Sequence, residues 1–196
     1  MPAYSTQILS LGTSAPKFSL TNTVDGKTIN LSDYEGKNLL IMFICNHCPY
    51  VIRIRDSFKK FSDKYMQENN VAVVAINANS TKTHPQDGPE EMKKLALELD
   101  WNFNYLFDET QEVAKAYKAA CTPDFFLFDK NHKLVYRGQY DDARPRNDEP
   151  VTGKDLREAL DALVNKNPIS KEQIPSAGCS IKWHPNTFPD YEIVSK

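Results

Sequence analysis

Two cysteines separated by two residues are the strongest chemical feature of this sequence. Cys45 and Cys48 enclose Asn46 and His47, and Pro49 follows them directly. Two thiols at this spacing can form a reversible disulfide, and thiols in such motifs have pKa values lowered to about 3.5–7.5. We predict that Cys45 is the more exposed sulfur and attacks a substrate disulfide, and that Cys48 then resolves the mixed disulfide.

The residues around the dithiol predict that it lies where a buried strand meets the N-terminus of a helix. Residues 39–44 form an unbroken apolar run that is too short for a membrane span and has no helical stripe. Unpaired amides and the helix dipole stabilise a thiolate at such a position. A protonated His47 would place a second positive charge near the Cys45 thiolate and stabilise it. The alternative interpretation is that His47 is a surface histidine with no role in the chemistry. Apolar residues at helical spacing follow Pro49, namely Val51, Ile54, Phe58, Phe61 and Tyr65.

A Cys-X-X-Cys pair is also one half of many zinc sites. A complete site would need a second pair of Cys or His residues at similar spacing. The sequence contains no second Cys-X-X-Cys and no His-X-His. It therefore favours dithiol redox chemistry over metal binding, and inert cysteines are the third interpretation.

Length and charge limit the class of protein. The chain has 196 residues, 40% of them hydrophobic, which is enough for one domain with a sizeable core. The 24 basic and 26 acidic residues are interspersed, which argues against nucleic acid or an anionic membrane as the main partner. We find no secretory signal and no apolar run of about 20 residues. We therefore expect a cytoplasmic protein. In that reducing compartment its four cysteines are expected to be chemically reactive and not to form structural disulfide bonds.

The remaining elements alternate in a way that predicts an α/β protein. Residues 18–31 alternate polar and apolar positions around Asp25-Gly26, which predicts a β-hairpin. Residues 71–77 are wholly apolar, as in a central parallel strand covered on both faces. The polar loop at 78–89 leaves the carboxyl end of that strand, so it forms either one wall of the site or an ordinary surface loop.

Further along, aromatic residues and a helix are expected to complete the core. Trp101, Phe103 and Tyr105 are expected to pack inside, and residues 124–137 predict two antiparallel strands. Thr152 is expected to cap a helix over residues 153–166. The aromatic residues beyond it, Trp183, Phe188 and Tyr191, predict that the C-terminal segment packs onto the domain.

These features, in this order, resemble the thioredoxin-like superfamily. The residues that carry the resemblance are Ala15-Pro-x-Phe-x-Leu20, Asp25-Gly26, Leu31-Ser-Asp-Tyr-x-Gly-Lys37, the apolar strand and Cys45-x-x-Cys-Pro49. The branch it resembles is shared by peroxiredoxins of the alkyl hydroperoxide reductase (AhpC/TSA, redoxin) type and by thiol-disulfide oxidoreductases of the TlpA and ResA kind. The resemblance implies a thioredoxin-like α/β fold: a central mixed sheet flanked by helices, an N-terminal β-hairpin and a C-terminal extension. We expect a domain over 1–166 and an extension over 167–196 packed on it.

The resemblance also assigns a role to a proline loop. In thioredoxin-like proteins a Thr-Pro or Ile-Pro dipeptide with a cis bond packs beside the two cysteines. By that resemblance Thr122-Pro123 is cis and shapes the docking groove, because the exposed backbone before the proline can pair with a bound peptide or thiol in β fashion. Asn46, Pro49 and Thr122 are expected to line this groove.

Two further cysteines leave alternatives open. Cys121 directly precedes the proline loop and is a third redox thiol, a metal ligand with Cys45 and Cys48 for Cu(I) or zinc, or an inert buried residue. Cys179 lies in the C-terminal segment. It is either a resolving thiol for Cys121 or Cys45, much as some peroxiredoxins use a C-terminal cysteine, or an unpaired thiol.

The best functional prediction is a thiol-disulfide oxidoreductase with a redox-active disulfide and no cofactor. Its expected partners are protein or small-molecule disulfides and thiols and an electron-donating reductase, without nucleic acid or membrane. The first alternative is an antioxidant thiol peroxidase, but residues 42–44 lack the hydroxyl of the peroxiredoxin motif Pro-x-x-x-Thr/Ser-x-x-Cys. The second alternative is a metal-binding protein or metallochaperone that uses Cys45, Cys48 and Cys121.

Overall fold

The computed structural model describes residues 2–191 and 193, and a seven-stranded mixed sheet forms its centre. A second, three-stranded antiparallel sheet covers one end of it. The strand order is β3-β2-β6-β5-β4-β8-β9 in the large sheet and β1-β10-β7 in the small one. The strands are β1 Ala3–Tyr4, β2 Ser19–Asn22, β3 Thr28–Asn30, β4 Asn38–Phe43, β5 Val71–Asn77, β6 Asn104–Phe107, β7 Cys121–Thr122, β8 Asp124–Phe128, β9 Leu134–Gly138 and β10 Ala177–Ser180.

Five α-helices flank the large sheet. They are α1 Pro49–Ile54, α2 Phe58–Asn69, α3 Pro89–Glu98, α4 Glu112–Ala116 and α5 Lys154–Val164. A single 3-10 turn, Arg55–Ser57, separates α1 from α2. Among the described residues, no helix combines the length and the apolar character that crossing a membrane requires.

The central strands β4 and β5 position the dithiol. They pair in parallel from Asn38↔Val71 to Phe43↔Ile76, and β4 also pairs antiparallel with β8. Their side chains from Leu39 onward are buried, which removes several large apolar groups from water at about 1.5–3 kcal/mol each. The strand that leads into the dithiol is therefore anchored on both edges and both faces.

The hairpin and the aromatic core agree with the sequence predictions. Strands β2 and β3 pair antiparallel, and β2 also pairs with β6, so the hairpin extends the large sheet. Trp101, Phe103 and Tyr105 are buried, and β8 and β9 are antiparallel neighbours. These predictions are confirmed.

The predicted cap of α5 is wrong. The residue before this helix is Gly153 at φ +65°, a conformation that favours glycine. The Asp141 carboxylate accepts hydrogen bonds from the backbone N–H groups of Thr152 and Gly153 at 2.7 and 2.6 Å. A buried acidic residue from the preceding loop thus satisfies the helix start, and the Thr152 hydroxyl receives only a long bond of 3.3 Å from Lys154.

The chain beyond α5 packs back onto the domain. Strand β10 lies between β1 and β7, Trp183 is buried, and the Tyr191 hydroxyl donates to the Ala119 carbonyl at 2.6 Å. Phe188 is 72% exposed, so the expectation that it packs is wrong. The C-terminal segment nevertheless reaches the loop that contains Cys121.

Candidate active site at the strand–helix junction

The dithiol lies where the sequence predicts, between the end of β4 and the start of α1. Cys48 is the residue before the helix, with extended backbone angles, and Pro49 is the first helical residue. The Cys48 carbonyl accepts the first helical hydrogen bond from Ile52 at 2.9 Å. All four cysteines lie within the described residues, and all are free thiols.

Both sulfurs of the pair are buried, including Cys45, which the sequence predicts to be the more exposed one. Cys45 is 1% exposed and Cys48 is fully buried, whereas Cys179 is only partly buried. The hydroxyl of Thr122 lies 3.3 Å from the Cys45 sulfur and covers it from the proline loop. In this reduced structure, therefore, neither sulfur of the pair is freely open to solvent.

The proline loop contacts both sulfurs. The Thr122–Pro123 peptide bond is cis, as the resemblance predicts. The Cys48 thiol lies 3.1 Å from the Thr122 carbonyl oxygen, and the Thr122 hydroxyl contacts Cys45. One residue of this loop thus touches both members of the dithiol.

The backbone edge that was expected to receive substrate is already paired. Strand β10 runs antiparallel to β7, with Cys179 opposite Thr122 and Ser180 opposite Cys121. A Cβ atom on Gly178 would lie 2.0 Å from the Thr122 carbonyl oxygen, so only glycine permits this approach. The prediction that Thr122 offers a free docking edge is therefore wrong for this structure.

On the opposite side, the loop after β5 forms a wall built around a buried carboxylate. Asp87 is fully buried, and its Oδ1 accepts from the backbone N–H groups of Asn46 and His47 at 2.8 and 3.3 Å. Its Oδ2 contacts His47 Nδ1 at 2.5 Å and accepts from Asn79 Nδ2 at 2.8 Å.

Sequence reasoning identified the loop as a candidate wall but missed Asp87. The available signal was an acidic residue in a polar loop at the carboxyl end of a buried strand.

His47 is held between this carboxylate and the Cys45 sulfur. Its Nδ1 atom, bonded to Asp87, lies 3.9 Å from Cys45 Sγ. Its ring stacks on His84, with 4.8 Å between centroids. His84 therefore belongs to the same wall.

The structure favours ionisation of Cys48 over Cys45. The thiols of Cys179 and Cys45 and the backbone N–H of Val51 donate towards the Cys48 sulfur and lower its pKa. The Thr122 carbonyl beside it can only accept, which opposes ionisation, but it is one acceptor against several donors. We therefore expect Cys48 to be the more acidic member of the pair.

The pKa of Cys45 moves in the opposite direction. Its hydrogen bond to Cys48, its burial and the negative charge of Asp87 all raise it. The prediction that the helix N-terminus and His47 ionise Cys45 is thus wrong for the resting site. The physical reason is that Cys48 lies closer to the helix amides, while Cys45 faces a buried anion.

Cys121 does not join the dithiol in a metal site. Its sulfur is fully buried and donates long hydrogen bonds to the carbonyls of Pro123 and Ser176, at 3.6 and 3.9 Å. Burial raises the pKa of this thiol, which disfavours a thiolate ligand. The alternative ligand set of Cys45, Cys48 and Cys121 is therefore wrong.

A different trio could hold a cation. Within residues 2–191 and 193, the ligand atoms of Cys45, His47 and Asp87 lie within 4.8 Å of one another. Sulfur, imidazole and carboxylate are ligand types that suit zinc. However, the Asp87 oxygens already accept bonds from protein donors, and His47 Nδ1 is engaged with them. A metal would have to replace the contact between His47 and Asp87.

The residues expected to line one groove border two separate cavities. Asn46 and His47 border a cavity of about 240 Å3, and the Asn46 side chain is tied to the Gln86 carbonyl at 2.9 Å. Pro49 borders another, of about 370 Å3, on the side of Cys179. Thr122 borders neither cavity and pairs with Cys179 of β10, so these residues do not line one common groove.

Comparison with known proteins agrees with this architecture. The sequence profile of the AhpC/TSA family matches residues 11–137. The thiol-disulfide oxidoreductase ResA of Bacillus thuringiensis subsp. konkukian is 25% identical over 158 residues, covering 81% of this chain and 79% of that protein.

Two solved structures show the similarity of fold. An uncharacterized conserved protein from Geobacillus kaustophilus is 50% identical with a TM-score of 0.90, covering 95% of this chain and 97% of that chain. The thioredoxin domain of a thiol-disulfide oxidoreductase from Bacteroides vulgatus is 20% identical with a TM-score of 0.55, over 66% and 88% of the two chains. The fold described above is thus thioredoxin-like.

Proposed function

Because this chain belongs to the AhpC/TSA family, we propose that it is a thiol-disulfide oxidoreductase that reduces substrate disulfides with Cys45 and Cys48. The observation that carries this proposal is the pair of free sulfurs at the strand–helix junction, both in contact with Thr122 of the cis-proline loop. The similarity to proteins named thiol-disulfide oxidoreductase ResA supports it.

The resting pair shares one proton and one negative charge. Cys48 accepts the Cys45 proton while the Cys45 sulfur attacks one sulfur of the substrate disulfide, and the first product leaves as a thiolate. Cys48 then attacks the Cys45 sulfur and breaks the mixed disulfide. The second product leaves, and one of the two products takes the proton from Cys48. Two electrons have passed from the dithiol to the substrate, and Cys45 and Cys48 are joined.

The residues around the pair position these steps. Thr122 and Pro123 hold the two sulfurs from one side, and His47 with Asp87 holds Cys45 from the other. The imidazole separates the sulfur from the carboxylate charge, so it limits the electrostatic penalty on a Cys45 thiolate. Pro123 acts through the loop geometry and not through a reactive group.

The reaction needs an electron donor and no organic cofactor. We propose protein or small-molecule disulfides as substrates and a dithiol reductase as the donor, because the oxidised pair must be reduced before another turnover. A cytoplasmic location remains a prediction, which cell fractionation with a marker for each compartment would test.

Catalysed reduction of insulin disulfides by dithiothreitol tests the proposal. We expect the wild-type protein to accelerate the reaction and the Cys45→Ser and Cys48→Ser variants to lose at least about 100-fold, because each removes an obligatory sulfur. Cys121→Ser is the matched control, since its sulfur contacts only carbonyl groups, and should retain activity within about twofold. Equal activity in the Cys45→Ser/Cys48→Ser double variant would contradict the proposal.

Thiol peroxidase activity is the second candidate, and one contact favours it. Residues 42–44 lack a hydroxyl, but the Thr122 hydroxyl lies 3.3 Å from the Cys45 sulfur and could polarise a bound peroxide. Peroxide consumption by wild-type and Thr122→Val proteins separates the candidates. If peroxide reduction is the main activity, Thr122→Val should slow it at least about tenfold while insulin reduction changes little.

A further inference from the structure

The small sheet places a third sulfur beside the dithiol. Cys179 pairs in register with Thr122, the same residue whose carbonyl oxygen lies 3.1 Å from the Cys48 sulfur. The close approach of Gly178 to Thr122 keeps β10 tight against the proline loop. Strand β10 thus runs along the backbone edge where a substrate strand was expected, and it presents its own cysteine there.

Building on the proposed function, we propose that Cys179 is a third redox thiol of this site, which exchanges with the Cys45–Cys48 disulfide to form a Cys48–Cys179 disulfide. Strand β10 then acts as a substrate built into the chain.

Cys48 is the partner that the contacts select. Thr122, the residue opposite Cys179, contacts Cys48 with its carbonyl oxygen and Cys45 with its hydroxyl, and the Cys179 and Cys45 thiols both lower the pKa of Cys48. Cys121, the sequence-based alternative partner for Cys179, instead directs its thiol to the Pro123 and Ser176 carbonyls. The other predicted partner, Cys45, contacts the Thr122 hydroxyl and His47 instead.

The exchange conserves atoms and electrons without any added oxidant. Reduction of a substrate disulfide leaves Cys45 and Cys48 joined, as described above. The Cys179 thiol then loses its proton and attacks the Cys48 sulfur. The Cys45–Cys48 bond breaks, Cys45 leaves as a thiolate and takes up the proton, and a Cys48–Cys179 bond forms. The same two-electron oxidation has moved from one pair to the other.

The exchange moves the disulfide from two buried sulfurs to a pair that includes a partly exposed one. Cys45 and Cys48 are buried, whereas Cys179 is partly exposed and borders the cavity of about 370 Å3 beside Pro49 and Tyr50. An external thiol that enters this cavity therefore meets Cys179 before it meets the dithiol. The exchange carries the oxidation from the buried pair to a sulfur that a reductant can reach.

Peptide mapping of oxidised protein tests the proposal directly. Trypsin should place Cys45 and Cys48 on one peptide, residues 38–53, and Cys179 on another, residues 172–182. The full-length protein is equilibrated in glutathione buffers of rising oxidised fraction, free thiols are alkylated, and linked peptides are identified by mass spectrometry. We expect the 38–53/172–182 pair, with the link on Cys48 and the alkyl group on Cys45.

Two variants sharpen the measurement. In Cys45→Ser the dithiol cannot close, so the Cys48–Cys179 link should account for more than half of the protein in oxidised glutathione. Cys121→Ser is the matched control and should leave the link within about twofold of wild type, because its sulfur contacts only carbonyls.

The outcomes separate this proposal from the proposed function. If the wild-type 38–53 peptide becomes internally oxidised while Cys179 stays alkylated at every ratio, and Cys179 also stays alkylated in Cys45→Ser, the third-thiol proposal is overturned and the reductase stands. If neither disulfide forms and insulin reduction is absent, the proposed function itself fails.

Discussion

Two buried carboxylates, Asp87 and Asp124, serve opposite ends of the site and are built differently. Asp87, in the loop after β5, accepts hydrogen bonds on both oxygens from donors of the loop and the dithiol segment. Asp124 directly follows the cis-proline and lies near Ser5, which follows β1, and Ser176, which precedes β10. Neither of its oxygens meets a donor with hydrogen-bond geometry among the described residues.

The difference shows that one carboxylate positions the residues of the site, whereas the other makes the protein sensitive to pH. The paired carboxylate holds His47 and the backbone of the dithiol in place, so its charge acts on Cys45 at a fixed distance. Around the unpaired carboxylate, burial outweighs the opposing effect of nearby Ser176 and Ser5 and raises the pKa of Asp124 to about 7. The loop side therefore provides fixed polar geometry, whereas the side of the small sheet responds to pH.

Removing the paired carboxylate should have the largest effect. Asp87→Ala leaves the donors of Asn46, His47 and Asn79 without their acceptor, so we expect the free energy of unfolding to fall by roughly 3–5 kcal/mol. Chemical denaturation at pH 7 measures this. Asp87→Asn keeps one acceptor oxygen and should lose clearly less. A loss below about 1 kcal/mol in the alanine variant would show that the wall is not held this way.

The unpaired carboxylate should make stability depend on pH. The folded pKa of Asp124, about 7, lies above its ordinary value of 3.8. Its stabilising contribution is therefore complete below about pH 4 and lost as pH rises through about 7. Between pH 5 and pH 8 we expect the wild type to lose roughly 3 kcal/mol relative to Asp124→Asn. Chemical denaturation of both proteins at pH 5 and at pH 8 measures this. The same difference in free energy of unfolding between the two proteins at both pH values would contradict the prediction.

Loosening the small sheet should have a smaller effect on stability and a clear effect on access. Gly178→Ala forces a Cβ atom against the Thr122 carbonyl oxygen, which should cost roughly 1–3 kcal/mol. Because β10 must shift, Cys48 should react faster with iodoacetamide than in wild type. Ser180→Ala in the same strand is the control and should leave the alkylation rate unchanged. Equal rates in all three proteins would mean that β10 does not shield the dithiol.

The smallest expected effect concerns the charge on Cys45. His47→Gln removes the ring between the sulfur and Asp87, so the pKa of Cys45 should rise and insulin reduction at pH 7 should slow about tenfold, the equivalent of one pKa unit. Asp87→Asn should shift that pKa in the opposite direction, because it removes the negative charge. Alkylation rates of Cys45 measured across pH test both. Shifts in the same direction would refute the assignment of roles.

Local pattern was enough to predict the elements that carry the dithiol. The apolar run before Cys45 and the helical spacing after Pro49 fix β4 and α1 from adjacent residues. The cis bond before Pro123 followed from the family resemblance and not from the residues themselves.

The environment of the sulfurs depended on residues far along the chain. Asp87 lies 41 residues beyond Asn46, whose backbone it binds, and Cys179 reaches the site only through the pairing of β10 with β7. No local spacing encodes such contacts, so the sequence did not reveal that Cys45 is also buried, and it placed the thiolate on Cys45 instead of Cys48. The predicted docking edge failed for the same reason, since sequence shows that an edge exists but not which strand occupies it.

The position of β1 has a practical consequence. Ala3 pairs with Gly178 and Tyr4 with Ala177, so β1 runs alongside the strand that bears Cys179. A purification tag or fusion partner joined ahead of Ala3 would emerge within a few residues of the redox centre. Assays of tagged and tag-free protein should therefore be compared before any rate is assigned to the native chain.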